Sequence, residues 1–463
     1  MNFRFYCSFK SLFFLPAILL AACTPHQQYR TNYETCISND PESACSANAI
    51  QEYKDPAVTK QDYLLGFIEF EDQGQLWDRK QMGAFIDKLY IDSASQDLLI
   101  VVFVHGWKHS AKVKDTNIRN FRKTLKRLSA MESTISDHSG TSPRKIVGVY
   151  LGWRGGSITA PLIKELTFWD RKNTAHKVGY GDVTEVLSRL ELLRKTKRAQ
   201  TRLDDRNNQT YLVVVGHSFG GAVVYSAVSE LLEKDFVHTL APDGQVSNTV
   251  GIGDLVVLIN PAFEAIRYSA LRDMSTERRT YFPEQLPLVA TLTSEADYAT
   301  KYAFPAGRYV STAFEKERKT RHHNPVTKQE EIINQGQANV TTIGHFDDYL
   351  THYLKADAPL PAKQATSFNL SKEINLFVTV ADNWENDKPG SSIKFEGSTL
   401  ERTMNSAGRN PYLNIRVDKN LIPDHNSIYD PRIESFVRQL ILISSQSPQL
   451  ENRKKTRSKV STK

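Results

Sequence analysis

The stretch from Tyr211 to Leu232, YLVVVGHSFGGAVVYSAVSELL, limits the fold of this chain more than any other segment. Its first five residues are aromatic or aliphatic and rich in valine, which is typical of a buried β-strand. Apolar side chains then recur at intervals of three and four residues, which predicts a helix. The apolar positions of that helix are Val224, Ala227, Val228, Leu231 and Leu232. The segment is therefore predicted to be a strand that turns sharply into a helix.

The turn between this strand and helix reads Gly216-His217-Ser218-Phe219-Gly220. So sharp a turn strains the backbone of its central serine, and the residues two positions to either side must lack bulk. Gly216 and Gly220 meet that requirement. The helix begins directly after Ser218, so its first amide groups face any negative charge that develops there. The pattern favours a nucleophilic serine; the alternative is a glycine-rich turn with an incidental serine.

Apolar strands and amphipathic helices alternate along most of the chain. Predicted strands cover 63–70, 98–104, 145–153, 211–215, 255–259, 288–292 and 412–417, and predicted helices cover 76–90, 117–131, 183–199 and 431–441. This alternation predicts an α/β fold with a mostly parallel central sheet and helices on both faces. The strand at 63–70 is expected at the edge of that sheet. Active sites of such sheets lie beyond the carboxyl ends of the strands.

In its strand–turn–helix setting, the G-x-S-x-G pattern resembles the nucleophile elbow of the α/β-hydrolase superfamily. The resemblance covers roughly residues 61–445 and implies the α/β-hydrolase fold. It also implies that the insertion at about 300–410, before the last strand, caps the substrate site. Within the insertion, Ile374–Val380 (INLFVTV) is expected to be a strand. The cap lacks a long apolar helix, which disfavours a lipase that needs a greasy lid.

The resemblance also implies catalytic roles, because the superfamily places its serine, acid and histidine in that order along the chain. Ser218 is the implied nucleophile. His425 is the implied base, since it lies in a loop between the last predicted strand and the final helix. Asp297 follows the strand at 288–292 at the position of the acid, with Glu295 as the alternative. Together these residues would form a Ser–Asp–His triad.

Four other histidines lie in or near these motifs. His345 and His352, in GHFDDYLTHYL, are rivals to His425, although the aromatic residues around them indicate a packed segment. His217, inside the elbow, is expected to pack against its neighbours. His105 is expected to have a structural role beside the loop that follows the strand at 98–104.

The oxyanion hole of the superfamily uses two backbone amides, which correspond to Phe219 and Trp107 in this chain. Phe219 directly follows the serine, and Trp107 belongs to the sequence His105-Gly106-Trp107 at the end of a predicted strand. That sequence differs from the triple-glycine form of some esterases. The Trp107 side chain is also positioned to line the acyl pocket.

The N-terminus resembles a bacterial lipoprotein signal peptide. A short basic region precedes the apolar run Ser11–Leu20, which is too short to span a bilayer but suits a secretory signal. The run ends in Leu20-Ala21-Ala22-Cys23, which resembles a lipobox. The resemblance implies removal of residues 1–22, lipidation of Cys23 and, because Thr24 follows, an outer-membrane location. The alternative is an ordinary signal peptide cleaved after Ala22.

Two further cysteines, Cys36 and Cys45, lie in a polar leader predicted at 23–60. The oxidising compartment that the signal peptide implies favours a disulfide between them. No spacing of cysteine and histidine resembles a zinc or haem site, so neither a metal nor a cofactor is expected.

The net charge of +7 does not indicate a nucleic-acid partner, because most of it belongs to the C-terminus. The last twelve residues, NRKKTRSKVSTK, hold six positive charges and no negative one, which leaves the rest of the chain near +1. The tail at 446–463 is predicted to be disordered and solvated.

These features predict a lipid-anchored serine hydrolase of the bacterial cell envelope, esterase-like or lipase-like, which cleaves acyl esters through a Ser218 acyl-enzyme. The same residues would serve a thioesterase, an acyltransferase or an amidase, since fold does not select the substrate. A hypothesis of another class is a non-catalytic surface lipoprotein that keeps the fold to bind a partner or lipid.

Overall fold

The computed structural model describes residues 25–57, 60–156, 168–203, 209–241, 244–277, 281–357 and 369–445. The predicted signal peptide at 1–22, Cys23 and the basic tail at 446–463 lie outside these residues. The strands of the central sheet are β1 Asn32–Ser38, β2 Asn48–Tyr53, β3 Tyr63–Glu69, β4 Leu98–Val104, β5 Lys145–Gly152, β6 Tyr211–His217, β7 Leu255–Ile259, β8 Val289–Ser294, β9 His352–Ala356, β10 Ser392–Phe395, β11 Ser398–Arg402 and β12 Tyr412–Val417.

These twelve strands form one sheet in the order β1-β2-β3-β5-β4-β6-β7-β8-β12-β9-β11-β10. Neighbouring strands pair in parallel except for β2 with β3, β9 with β11 and β11 with β10. The predicted α/β class with a mostly parallel central sheet is therefore confirmed. The two small pairs of strands outside this sheet are Leu240–Ala241 with Gly244–Gln245 and Lys319–Asn324 with Gln329–Asn334.

The helices surround this sheet. They are α1 Pro41–Ala44, α2 Arg79–Ser95, α3 Thr116–Ser139, α4 Phe168–Tyr180, α5 Val183–Leu203, α6 Phe219–Val237, α7 Ser269–Thr276, α8 Phe304–Ser311, α9 Gln335–Val340, α10 Leu370–Glu385 and α11 Pro431–Ser445, with a π turn at Ala299–Ala303 and 3-10 turns at Ala265–Tyr268, Ile343–His345 and Asp347–Tyr349. No helix in the described part of the chain is both long and apolar enough to cross a membrane.

Helices cover both faces of the sheet, as the alternating side chains of β4 demonstrate. Ile100, Val102 and Val104 enter a hydrophobic core that includes residues of α2, α5 and α6. Val101 and Phe103 point the other way, into a core completed by α3. A strand buried on both faces is expected to be apolar throughout, which explains the continuous run LLIVVFV of β4.

The predicted strand–turn–helix unit is present as β6 and α6, with Ser218 between them. The turn is closely packed. A Cβ atom on Gly220 would lie 2.0 Å from the carbonyl oxygen of Val104, and one on Gly216 would lie 2.6 Å from the carbonyl oxygen of Gly220. No side chain fits at either position, so both glycines of the pattern are sterically required.

The predicted leader is not separate from the sheet, and the expectation that the strand at 63–70 lies at an edge is wrong. β2 pairs antiparallel with β3, and β1 pairs with β2, so the leader covers the edge that β3 would otherwise expose. All residues of β3 are buried, and an unpaired strand of this kind would expose its backbone groups to water and to other chains. A disulfide joins Cys36 of β1 to Cys45, which directly follows α1.

The expectation of a strand at Ile374–Val380 is also wrong, because these residues lie within helix α10. Asn369 caps the helix by accepting a hydrogen bond from the Lys372 amide at 3.0 Å. Val380 and Trp384, four residues apart, pack in one core with Leu376 and Phe377. The short run of β-branched residues favours a strand locally, but the cap and the helical spacing of its apolar side chains favour a helix over the longer segment.

The insertion predicted at about 300–410 does not form a single cap. Its second half contributes β9, β11 and β10, which extend the central sheet beyond β12. Its first half, with the π turn and α8, follows the end of β8 directly. Only this first half is therefore close in sequence to the rim where the carboxyl ends of the strands meet.

Candidate active site

Ser218 occupies a strained position at the carboxyl end of β6. Its backbone angles, φ 57° and ψ −123°, lie in a region that non-glycine residues rarely adopt. Hydrogen bonds hold this geometry: the Ser218 amide donates to the Ile259 carbonyl at 3.0 Å, and the Ser218 carbonyl accepts from the amides of Gly221 and Ala262. The turn presents the serine side chain at the rim of the sheet, ahead of the first amides of α6.

Ser218, His425 and Asp297 form one continuous chain of hydrogen bonds. The Ser218 hydroxyl lies 2.7 Å from His425 Nε2, and His425 Nδ1 lies 2.8 Å from Asp297 Oδ2. Because a carboxylate can only accept, Nδ1 of a neutral His425 carries the proton, and Nε2 is left to accept the serine proton. The structure thus brings together the three residues that the sequence resemblance implied.

The Asp297 carboxylate is buried and fully hydrogen-bonded. Its Oδ1 accepts from the amides of Ala299 at 3.0 Å and Thr300 at 3.2 Å, and its Oδ2 accepts from the Thr300 hydroxyl at 2.5 Å as well as from His425. Burial acts to raise the pKa of Asp297, but the bond and charge of His425 and the bonds from Thr300 outweigh it, so the pKa lies below its ordinary value. Asp297 is therefore ionised at neutral pH.

Two residues that the sequence did not assign to the site hold the backbone of His425. His217 Nε2 lies 2.8 Å from the His425 carbonyl oxygen, and Asn260 Nδ2 lies 3.0 Å from the same atom. Burial lowers the pKa of His217 to about 3, so its ring is neutral and donates through Nε2. Asn260 Oδ1 also accepts from the Ser294 amide at 2.9 Å, which ties the histidine loop to the end of β8.

A sequence signal for Asn260 existed, because it directly follows the strand predicted at 255–259, which is β7 in the structure. A polar residue at the carboxyl end of a parallel strand is a site candidate on position alone. No comparable signal marked Thr300. His217 was expected only to pack, whereas it contacts the His425 backbone.

The predicted oxyanion-hole residues lie on two adjacent loops. Phe219 begins α6 directly after Ser218, and Trp107 follows Gly106, where a Cβ atom would lie 2.7 Å from Ser218 Cβ. Across the described residues, the amides of Phe219 and Trp107 donate no hydrogen bond. Both amides are therefore available to a ligand, and Gly106 allows the Trp107 loop to approach the serine closely.

His105 has the expected structural role beneath this loop. The Trp153 amide donates to His105 Nε2 at 3.1 Å, and His105 Nδ1 lies 2.9 Å from the Gly106 carbonyl oxygen. Burial lowers the pKa of His105 to about 4, so the ring is neutral, with its proton on Nδ1. The Lys108 amide donates to the Gly155 carbonyl at 3.0 Å and adds a second link between the two loops.

A cluster of aromatic rings lies beside the proposed oxyanion hole. Phe168 contacts Trp107, Phe219 and Trp169, with ring centroids separated by 5.2, 4.8 and 5.1 Å. Trp169 in turn contacts Phe304, the first residue of α8, at 5.5 Å. Trp107, Phe168 and Trp169 are partly exposed. The sequence interpretation identified only Trp107 of these as a pocket residue.

The alternatives that the sequence left open lie elsewhere. Glu295 is exposed, and its Oε1 accepts from the Lys419 amide at 3.2 Å. His345 Nε2 lies 3.1 Å from the Thr300 hydroxyl oxygen, so it reaches Asp297 only through Thr300. His352 is buried and bonds to the Thr351 hydroxyl at 2.8 Å. Neither rival histidine contacts Ser218.

A second serine–histidine pair provides an internal comparison. Ser226 Oγ lies 2.9 Å from His176 Nδ1, and Glu264 Oε2 lies 3.9 Å from His176 Nε2, beyond hydrogen-bond distance. Ser226 lies within α6 and is buried, with none of the strain of Ser218. Burial lowers the pKa of His176 to about 3. A serine and a histidine in contact are therefore not sufficient to identify the site.

Replacing Thr300 by valine is expected to reduce the free energy of unfolding by about 1–3 kcal/mol at pH 7, because the isosteric side chain cannot donate to the buried Asp297 carboxylate. A carboxyl group with a lowered pKa stabilises the folded state above its unfolded pKa, about 3.9, and this stabilisation is lost as the pH falls through the folded value. The difference in unfolding free energy between Thr300→Val and wild type should thus shrink below about pH 4. Urea unfolding at pH 7 and below about pH 4 measures it.

Thr293→Val is the matched control, because the buried Thr293 hydroxyl has no hydrogen-bond partner among the described residues. We expect its effect to stay within about 0.5 kcal/mol at either pH. Equal losses for the two variants, or a Thr300→Val loss independent of pH, would contradict the role of Thr300 in stabilising the Asp297 charge.

No group of three or more histidine, cysteine, aspartate or glutamate side chains in the described ranges is arranged to hold a metal ion. No protein-family model, no curated protein and no solved structure matches this chain. Function is therefore inferred from the geometry and chemistry of the Ser218 site.

Proposed function

We propose that this protein is a serine hydrolase with the α/β-hydrolase fold, which cleaves acyl esters through a covalent acyl-enzyme on Ser218. The observation that carries the proposal is the hydrogen-bond chain from Ser218 through both ring nitrogens of His425 to Asp297, with contacts of 2.7 and 2.8 Å. The strained φ of Ser218 between a strand and a helix also supports the proposal, because backbone strain costs folding free energy and is concentrated at functional sites.

In the first half-reaction, Ser218 Oγ attacks the carbonyl carbon of the ester while His425 Nε2 takes the hydroxyl proton. The carbonyl oxygen gains the electron pair of its double bond, and the amides of Phe219 and Trp107 donate hydrogen bonds to it. The bond to the alcohol then breaks. His425 returns its proton to the departing oxygen, so an alcohol leaves and the acyl group stays on Ser218.

In the second half-reaction, a water molecule attacks the acyl carbon while His425 Nε2 takes one of its protons. The same two amides stabilise the second oxyanion. Collapse of this intermediate breaks the bond to Ser218 Oγ, which recovers its proton from His425. A carboxylic acid leaves, and the site returns to its starting state.

The surroundings of His425 favour this proton transfer. The ionised Asp297 stabilises the imidazolium that forms in each half-reaction. His217 and Asn260 both donate to the His425 carbonyl oxygen and so fix the loop that carries the ring. Preorganised contacts of this kind reduce the rearrangement that the reaction requires.

The aromatic cluster beside the oxyanion hole indicates which part of the substrate it binds. Partly exposed rings of Trp107, Phe168 and Trp169 adjoin the residue that follows the nucleophile. We assign these rings to the apolar acyl chain. The same chemistry would process a thioester or pass the acyl group to another acceptor, and these remain alternatives to ester hydrolysis.

Cys23, outside the described residues, is the proposed attachment point for lipid. Several acyl chains on one residue would hold the protein stably at a membrane without a transmembrane helix. The lipobox supports lipidation in the bacterial cell envelope, and Thr24, which directly follows Cys23, supports an outer-membrane location. The proposal thus places an acyl-ester hydrolase at a membrane surface.

The test is covalent labelling by a fluorophosphonate probe, which reacts with activated serines. Wild type should be labelled at Ser218, and Ser218→Ala should not be labelled at all. Ser226→Ala is the matched control, because Ser226 also contacts a histidine but lies inside a helix. It should be labelled like wild type. Labelling that survives Ser218→Ala would contradict the proposed nucleophile.

A panel of soluble esters with short and long acyl chains complements the labelling. Wild type should hydrolyse at least part of the panel, and Ser218→Ala should not. A folded wild-type protein that neither reacts with the probe nor hydrolyses any ester would instead support a non-catalytic binding protein.

A further inference from the structure

Four exposed aromatic side chains lie directly after the Asp297 residue of the site. Tyr298, Tyr302, Tyr309 and Phe314 are 71, 54, 63 and 100% exposed, which is unusual for rings that could bury apolar area in a core. The π turn at Ala299–Ala303 runs directly into α8, so the three tyrosines follow one another on continuous helical backbone. Tyr298 and Tyr302 contact each other, with ring centroids 5.3 Å apart.

The spacing of the tyrosines places them on one side of this helical segment. Intervals of four and seven residues separate Tyr298, Tyr302 and Tyr309, which are those of a single helical face. Phe304, on the opposite side, is fully buried against Trp169. The segment therefore packs inward on the aromatic cluster of the site and presents tyrosines outward. We call the exposed side chains Tyr298, Tyr302, Tyr309 and Phe314 the aromatic face.

Positive charges accompany the aromatic face. Between 298 and 319 the chain carries five lysine and arginine residues and two glutamates, a net charge of +3. Lys301, Lys316 and Lys319 are exposed. The two glutamates, Glu315 and Glu317, both accept hydrogen bonds from the Asn339 side chain. Exposed tyrosine and phenylalanine rings beside exposed lysines are the composition of surfaces that bind the headgroup region of a bilayer.

The start of the described chain lies at the same rim, which is an independent observation. The amides of Tyr29 and Arg30 each donate to the Glu69 carboxylate at 2.8 Å, at the carboxyl end of β3. Arg30 Nε donates to the Ala111 carbonyl at 3.0 Å, in the loop after β4 that also carries Trp107. His26 packs on Trp77, with ring centroids 4.7 Å apart.

The proposed lipid anchor precedes this contact by only a few residues in sequence. Cys23 is three residues before His26. In the sheet, the nucleophile strand β6 lies between β3, three strands to one side, and β8, two strands to the other. At about 4.8 Å per strand these separations are roughly 14 and 10 Å.

From the aromatic face and from the contacts of the chain start at the rim, we infer that the active-site rim faces the membrane. The aromatic face then rests in the lipid headgroup region on one side of Ser218, and the lipid anchor enters the bilayer on the other side. The inference rests on the proposed function. It identifies the substrate class as acyl esters that reside in the bilayer surface, which would reach Ser218 without leaving the membrane plane.

The orientation is tested with an environment-sensitive fluorophore on the mature chain that begins at the lipidated Cys23, reconstituted through this anchor. Tyr302→Cys places the fluorophore on the aromatic face. Tyr90→Cys is the control, because the exposed Tyr90 lies far from the active-site rim. It is late in α2, which runs from the end of β3 back to the start of β4, so Tyr90 lies near the amino ends of the parallel strands. Cys36 and Cys45 are joined in a disulfide and do not react.

In vesicles of phosphatidylcholine and phosphatidylglycerol, emission from position 302 should shift to the blue and be quenched by brominated acyl chains. Emission from position 90 should do neither. Equal quenching at the two positions, or quenching at 90 alone, would overturn the inferred orientation. The mass of the N-terminal peptide reports the anchor separately: absence of acyl chains on Cys23 would overturn that part of the inference, whatever the quenching shows.

Activity provides the second readout. Tyr302→Ser/Tyr309→Ser should hydrolyse a soluble ester like wild type but a vesicle-embedded ester at least roughly tenfold more slowly, because apolar area is withdrawn from the interface. Tyr90→Ser/Ile91→Ser, near the amino ends of the parallel strands, should retain both activities. An unchanged rate on the embedded ester would overturn the role of the aromatic face. If wild type did not hydrolyse the soluble ester, this would instead contradict the proposed hydrolase function. The failure of the inferred orientation and the failure of the proposed function are therefore distinguishable.

Discussion

Replacing His425 by alanine is expected to lower kcat for ester hydrolysis by about 10⁶-fold, the loss typical of removing a histidine base from a serine triad. His425 Nε2 is 2.7 Å from the Ser218 hydroxyl, and none of the other ring nitrogens among the described histidines bonds to that atom. Without it, Ser218 has no group to take its proton, and the leaving alcohol has no acid. The measurement is single-turnover and steady-state hydrolysis of a soluble ester.

His109→Ala is the matched control for this prediction. His109 Nδ1 lies 3.0 Å from Asp115 Oδ1, so it also pairs with a carboxylate near the Trp107 loop, but it has no bond to Ser218. This variant is expected to retain most of the wild-type kcat. Comparable losses in the two folded variants, or a folded His425→Ala variant with substantial activity, would contradict the assignment of His425 as the base.

Asp297→Asn is expected to lower kcat by about 10⁴-fold while the protein stays folded. The reason lies in the bonds around the carboxylate. Two backbone amides, of Ala299 and Thr300, donate to Oδ1 and require an acceptor there. The amide oxygen of the new side chain must therefore occupy the Oδ1 position, which places its NH₂ group against His425 Nδ1.

An NH₂ group at that position donates to Nδ1 and so moves the imidazole proton to Nε2. In this tautomer His425 cannot accept the proton of Ser218. The pH–rate profile and kcat of Asp297→Asn are compared with those of Glu295→Gln, which alters the rival acid and should remain close to wild type. A larger loss for Glu295→Gln than for Asp297→Asn would show that the two acids have been assigned the wrong way round.

Local signals were sufficient for much of this fold. Continuous apolar runs identified the parallel strands because a strand covered on both faces is apolar at every position. The sharp turn around Ser218 was predictable since no residue but glycine fits at 216 and 220. The strand prediction at 374–380 was wrong because the composition of this short run favours a strand. The helix that contains the run begins at a cap outside it.

The two strands within the polar leader were not predictable for a different reason. Its residues alternate weakly and contain no long apolar run, so nothing local predicted β1 and β2. β3 requires a neighbouring strand, because its residues are buried and its backbone groups on that side would otherwise lack hydrogen-bond partners. The pairing of β2 with β3 depends on both segments, so neither segment alone predicts it.

The order of the serine, acid and histidine along the chain narrowed the candidates but left Asp297 beside Glu295 and His425 beside His345 and His352. Contacts between distant segments separate them: His425 is 207 residues from Ser218 and 128 from Asp297 in sequence, yet it bonds to both. Side-chain direction at the end of a loop depends on what the loop packs against, here His217 and Asn260. The Ser218 turn was recognisable because its geometry is imposed by adjacent residues, whereas the hydrogen-bond partners of Ser218 depended on how three strand ends meet at one rim.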